Sequence, residues 1–140
     1  MAIEFLERSD AIETCYEFLL GYAAQGLPTD EGSPTGREVR NYLQQAREAL
    51  LGLAESCRQA IRDQQFEPAE KYNAFCSLIE RDGSDSLVAV ELVLAQPSIG
   101  SQLIDNLNAS SHLRALLTDL FLFGEILRTR GKVAISMQEE

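Results

Sequence analysis

Seven apolar positions, Val39, Leu43, Ala46, Leu50, Leu53, Cys57 and Ala60, follow one another in alternating steps of four and three. Such steps line up side chains along one stripe of an α-helix and are incompatible with the two-residue period of a strand. Sustained over about three heptads, they predict a helix over 35–65 that is roughly 45 Å long at ~1.5 Å per residue. A rod of that length must be covered along its whole seam. Ala and Cys at three of the seven positions are weak knobs, so the seam is expected inside the chain's own bundle, with a two-chain coiled coil as the alternative.

The rest of the chain breaks into helical patterns at clear punctuation. Ile12, Cys15, Tyr16, Leu19, Tyr22 and Ala23 recur at helical spacing, with Asp10 and Glu13 offering a start and Phe5 and Leu6 a backward extension. The segment stops near Gly26 and Pro28. "QGLPTDEGSPTG" then reads as an exposed loop over 25–35, and its Gly and Pro make 25–33 the expected site of limited proteolysis. Thr35 with Glu38 is a capping box for the long helix; Ser33 before Pro34 is a competing start.

Pro68 opens the next segment, whose stripe of Tyr72, Phe75, Cys76 and Ile79 ends at the turn signal "RDGSD". "SLVAVELVLAQPS" is read as helix despite its valines, because a lone strand would have no partner. Ile99, Leu103, Ile104 and Leu107 form a short amphipathic helix. The last helix starts at Ser110 or Ser111 and stops at Gly131. Its apolar residues, from Leu113 to Leu127, fill roughly 220° of the wheel, against about 100° for an ordinary surface helix. The expected architecture is an all-α single-domain bundle of five or six helices, covering 1–132, with 133–140 as a short tail.

Charge and motifs narrow the function. The formal net charge is −10, and residues 1–32 carry seven acids against Arg8 alone. A phosphate-binding surface needs clustered Lys and Arg, so nucleic acid is excluded as a partner. No window reaches the ~18 consecutive apolar residues of a membrane span, and "MAIEFLERSD" does not read as a secretory signal. For that reason the Asn108-Ala109-Ser110 acceptor pattern carries no consequence. Cys15, Cys57 and Cys76 are odd in number and widely spaced, which points to buried reduced thiols and a cytoplasmic setting.

His112 is the sole histidine. No Glu stands three residues before it, and it reads as a partly exposed residue of a first helical turn. Phosphate-binding, hydrolase and zinc-protease motifs do not occur, and the carboxylates read as a solvated surface. No catalytic residue, metal ligand or cofactor is therefore assigned.

The expected function is non-catalytic: an assembly chaperone, adaptor or regulatory subunit that holds another protein through its helical surfaces, acting as a homodimer. The partner face is assigned to Phe121, Leu122, Glu125, Arg114 and Arg128, because Phe121 interrupts the polar arc of the last helix. The alternative is a bundle that takes a small apolar ligand or cofactor, possibly as an enzyme, with Tyr16, Tyr22, Tyr42 and Tyr72 as polar handles.

Overall fold

A computed structural model describes the backbone of residues 2–139 and the side chains of residues 4–130. It forms an all-α bundle of α1 (Ala2–Ala24), α2 (Pro34–Leu51), α3 (Leu53–Gln64), α4 (Ala69–Leu94), α5 (Ser101–Ala109) and α6 (Ser111–Glu139). There is no strand among the described residues, and the valine-rich run is helical as far as Leu94.

The heptad seam is real, but the rod that carries it is broken. All seven seam residues are buried, yet the helix stops at Leu51 and restarts at Leu53, with Gly52 between at φ −116° and ψ 7°. The cause lies in α1. The Arg8 guanidinium reaches across to donate to the carbonyls of Glu48 at 3.0 Å and Ala49 at 3.3 Å, groups that a continuing helix would have used itself. A Cβ on Gly52 would lie 2.5 Å from the Arg8 guanidinium carbon, so only glycine leaves room for this cap. A four-three pattern cannot report a break that preserves its own register, and Gly52 alone is a weak signal.

The "RDGSD" stretch behaves in the opposite way. It was expected to be a turn, and α4 instead runs unbroken through Gly83. The broken rod of α2 and α3 lies antiparallel along it, as contacts from Arg47 to Glu91 and from Arg58 to Glu80 show. Burial against Leu50 and Leu53 on that rod holds Gly83 helical, tertiary packing outweighing its poor propensity. Cys57 of α3 and Cys76 of α4 are joined as a disulfide, which corrects the expectation of three reduced thiols and removes the support it gave to a cytoplasmic setting. Cys15 remains free and buried. At the other end of the chain, the backbone of α6 stays helical past the expected stop at Gly131 and through the expected tail, as far as Glu139.

The segment between α1 and α2 is not the loose loop its composition suggests. Asp30 is buried and accepts from the Ile99 backbone at 2.7 Å and from Arg40 Nε at 2.7 Å, while Arg40 also donates to the Leu94 and Gln96 carbonyls at the end of α4. Tyr22 donates its hydroxyl to the Ile99 carbonyl at 2.7 Å, and Ser101 bridges the backbones of Tyr22 and Leu27. Gly100 is needed here, since a Cβ would meet the Pro28 carbonyl at 2.7 Å. The start of α2 is Ser33 with Pro34 at the first position, so the competing cap prevails over the Thr35 box.

Candidate functional site

α4 and α6 run antiparallel. Ser86 donates to the His112 carbonyl at 3.0 Å at one end, and Tyr72 and Phe75 meet Phe123 at ring distances of 6.4 Å and 5.8 Å toward the other. Between them, at the amino-terminal end of α4, is an open groove of about 330 Å³. Its α4 wall is Pro68, Lys71, Tyr72 and Phe75; its α6 wall is Leu122, Phe123, Ile126 and Arg130. The spacing explains both walls: residues three and four apart share a helical face, so each helix turns one apolar edge into the gap.

Behind the groove lies an aromatic cluster. Phe123 is buried and packs on Phe5 of α1 at 5.4 Å, which anchors the floor to the opposite side of the bundle. Phe66 closes the end of α3 through a left-handed Gln65 at φ 52° and stacks beside Tyr72 at 5.0 Å. The Arg130 guanidinium lies over both rings, 5.1 Å and 5.4 Å from their centroids. A cation held on aromatic faces in this way is positioned without being neutralised. Among the described residues neither Arg130 nor Lys71 has a carboxylate within ion-pair distance, although the chain as a whole is acidic. Among the described residues Glu67 is the one acid on the groove margin.

Of the five residues assigned to a partner face, Arg114, Phe121, Glu125 and Arg128 lie within about 60° of one another on one exposed flank of α6, and Leu122 stands about 100° from Phe121, toward the groove. Phe121 and Leu122 are 53% and 54% exposed, and Arg114, Glu125 and Arg128 are exposed as well. Leu122 alone of the five lines the groove. Phe121 lies about 140° around the helix from Ile126 at ~100° per residue, so it belongs to the other flank. Arg128 is on that flank too, folded back with its guanidinium 3.2 Å from where a Gly124 Cβ would stand. Of the four tyrosines, only Tyr72 reaches the groove; the Tyr22 hydroxyl is used on Ile99, and Tyr42 stacks on Phe18 at 4.3 Å. Tyr72, Phe75, Phe123 and Ile126 had been visible in the sequence as core stripes. Nothing in a stripe says that two helices will part at one end.

Two buried carboxylates correct the expectation of a purely solvated acidic surface. Asp30 belongs to the latch described above: burial pushes its pKa up, and the bonds from Arg40 and Ile99 outweigh that and hold it below the ordinary value. Asp119 of α6 is buried beside Asp82 of α4, and loss of solvent, with the Asp82 carboxyl second, pushes it up to about 7. His112 is exposed, with Nδ1 3.9 Å from Asp85. Among the described residues no three His, Cys, Asp or Glu side chains group in a way that could hold a metal ion, and no helix is long and apolar enough to cross a membrane.

No family model, curated protein or solved structure matches the chain.

Proposed function

We propose that the protein is a non-catalytic interaction module, of the kind that serves as an assembly chaperone, adaptor or regulatory subunit, and that it holds another polypeptide in the α4/α6 groove. The observation that carries this is the combination of an open aromatic slot with a projecting Leu122 and two cations on its rim. An open slot of this depth suits side chains presented by a second surface, which arrive with their own backbone to cover the mouth. Self-association, the simplest form of such binding, is part of the same reading.

The test compares Ile126→Glu in the groove with Phe121→Glu on the opposite flank, both checked for native helicity and melting. Partners recovered with the wild type from its native source should be lost with Ile126→Glu and kept with Phe121→Glu. Retention of every partner by both variants would remove the groove from consideration, and the reverse pattern would move the contact to the Phe121 flank. The cavity volume also falls near the lower end of small-molecule sites, on the order of 300 Å³. A compound co-purifying with the wild type in native mass spectrometry, and absent from Ile126→Glu, would transfer the groove to that class.

A further inference from the structure

The two ends of α4 carry features of opposite character. At the amino-terminal end is the groove, apolar with Lys71, Arg130 and Glu67 at its rim. At the carboxyl-terminal end Val88 and Leu92 are 70% and 64% exposed, the most exposed large apolar side chains among the described residues. They are one turn apart on a stripe that faces away from the core, since the buried residues Ser86, Val90 and Val93 occupy the other side of the helix. Asp85 and Glu91 stand about 60° to either side of Val88, with side chains 61% and 48% exposed. The groove is thus an apolar slot on whose edge two cations outnumber one acid, Glu67, and the stripe an apolar ridge edged by anions.

A ridge and a slot on one continuous helix cannot meet in the same molecule. From Tyr72 to Val88 is about 24 Å at ~1.5 Å per residue. We propose that the groove of one molecule receives the Val88 and Leu92 ridge of a second copy, so that molecules join head to tail. The inference rests on the groove being a docking site and adds its occupant. Charge favours this arrangement over a two-fold one: a symmetric contact through the groove would bring Lys71 and Arg130 of both copies to one seam with only the two Glu67 side chains against them, whereas the ridge adds Asp85 and Glu91. Among the described residues the ion-pair partners these acids would release are exposed, His112 at 3.9 Å and Arg47 at 3.5 Å, and surface pairs of that kind exchange readily. A head-to-tail contact leaves a free ridge and a free groove at its ends, so it grows with concentration unless the rotation closes a ring.

Complementation tests it directly. Leu92→Glu removes the ridge and keeps the groove; Ile126→Glu removes the groove and keeps the ridge. Both sites are exposed or half-buried, and Val88→Glu serves as a second ridge variant should Leu92→Glu melt early. In sedimentation from low to high micromolar concentration, wild type should pass beyond two chains while each variant alone stays monomeric. The equimolar mixture should form a heterodimer that stops at two chains, because one intact groove meets one intact ridge. Adding Arg130→Glu to Leu92→Glu, which carries the mixture's only intact groove, should weaken that heterodimer by tenfold or more. A wild type that is monomeric throughout, or a mixture of variants that stays monomeric, overturns the head-to-tail contact. So does an assembly dissolved by Phe121→Glu alone. If Ile126→Glu still abolishes binding of other polypeptides in those cases, the groove stands as a docking site and only its occupant is wrong.

Discussion

Asp119 offers a perturbation whose sign follows from its surroundings. Its folded pKa is pushed up to about 7, against 3.8 for the free group, first by burial and then by the neighbouring Asp82. Below the unfolded value both states hold the proton, so stability is fully present; as pH rises toward the folded value the unfolded chain releases the proton first, and stability is lost. Each unit of separation is worth ~1.4 kcal/mol, which sets a ceiling of about 4 kcal/mol across the whole window. Asp82 is only half-buried, and water reaching its side of the pair screens the interaction, so a loss of about 1–2 kcal/mol between pH 5 and pH 8 is the working figure. Asp119→Asn keeps the shape and a donor for Asp82 while removing the titration. Urea unfolding followed by helical circular dichroism at pH 5, 6, 7 and 8 should therefore give two curves that approach at pH 5 and separate at pH 8, with the variant more stable by about 1–2 kcal/mol. Glu13, raised mainly by burial, titrates in both proteins and cancels in the difference. Parallel curves, or a variant weaker than wild type at pH 8, would refute the buried acid pair.

The remaining predictions concern the latch, the cysteines and one helix interior. Asp30→Ala should cost about 2–3 kcal/mol by leaving Arg40 and the Ile99 amide without their acceptor, and should make 25–33 more susceptible to limited proteolysis than in the wild type. The stability that Asp30 contributes to the wild type should disappear as pH falls below its unfolded value of 3.8, because its folded pKa is lowered. Thiol labelling of unreduced, denatured protein should modify Cys15 alone, and reduction should release Cys57 and Cys76 at a stability cost of about 3 kcal/mol for a loop of this length. Modification of Cys57 without a reductant would contradict the pairing. Gly21→Ala, at an exposed position inside α1 where a Cβ meets nothing within 4 Å, should stabilise the fold by about 0.5–1 kcal/mol in the same urea assay.

Much of the architecture was written in periodicity. Steps of three and four fixed which faces of α1, α2, α3 and α6 are buried, because a helix turns a constant angle per residue and only one face can leave water. Burial of Val39, Leu43, Ala46, Leu50, Leu53, Cys57 and Ala60 follows from that alone. So does the exposure of Phe121, which its place on the wheel already required. The all-helical class and the positions of Pro34, Pro68 and Pro97 outside helix interiors are equally local matters, decided by backbone sterics within a turn or two.

Other features depended on residues far apart in the chain. Gly52 breaks the long helix because Arg8, forty-four residues earlier, claims the carbonyls that would have continued it, while Gly83 stays helical because Leu50 and Leu53 lie against it. Cys57 and Cys76 pair because α3 and α4 happen to bring them together. The loop 25–33 is held by Asp30, whose partners Arg40 and Ile99 belong to other elements. The groove follows the same rule: Tyr72 and Phe75 would be ordinary core residues if α6 closed over them, and they line a slot because Phe123 is drawn back onto Phe5. A sequence pattern specifies which face of a helix must be covered. How completely a neighbour covers it is a property of the assembled bundle, set by where the axes diverge and which side chains prop them apart.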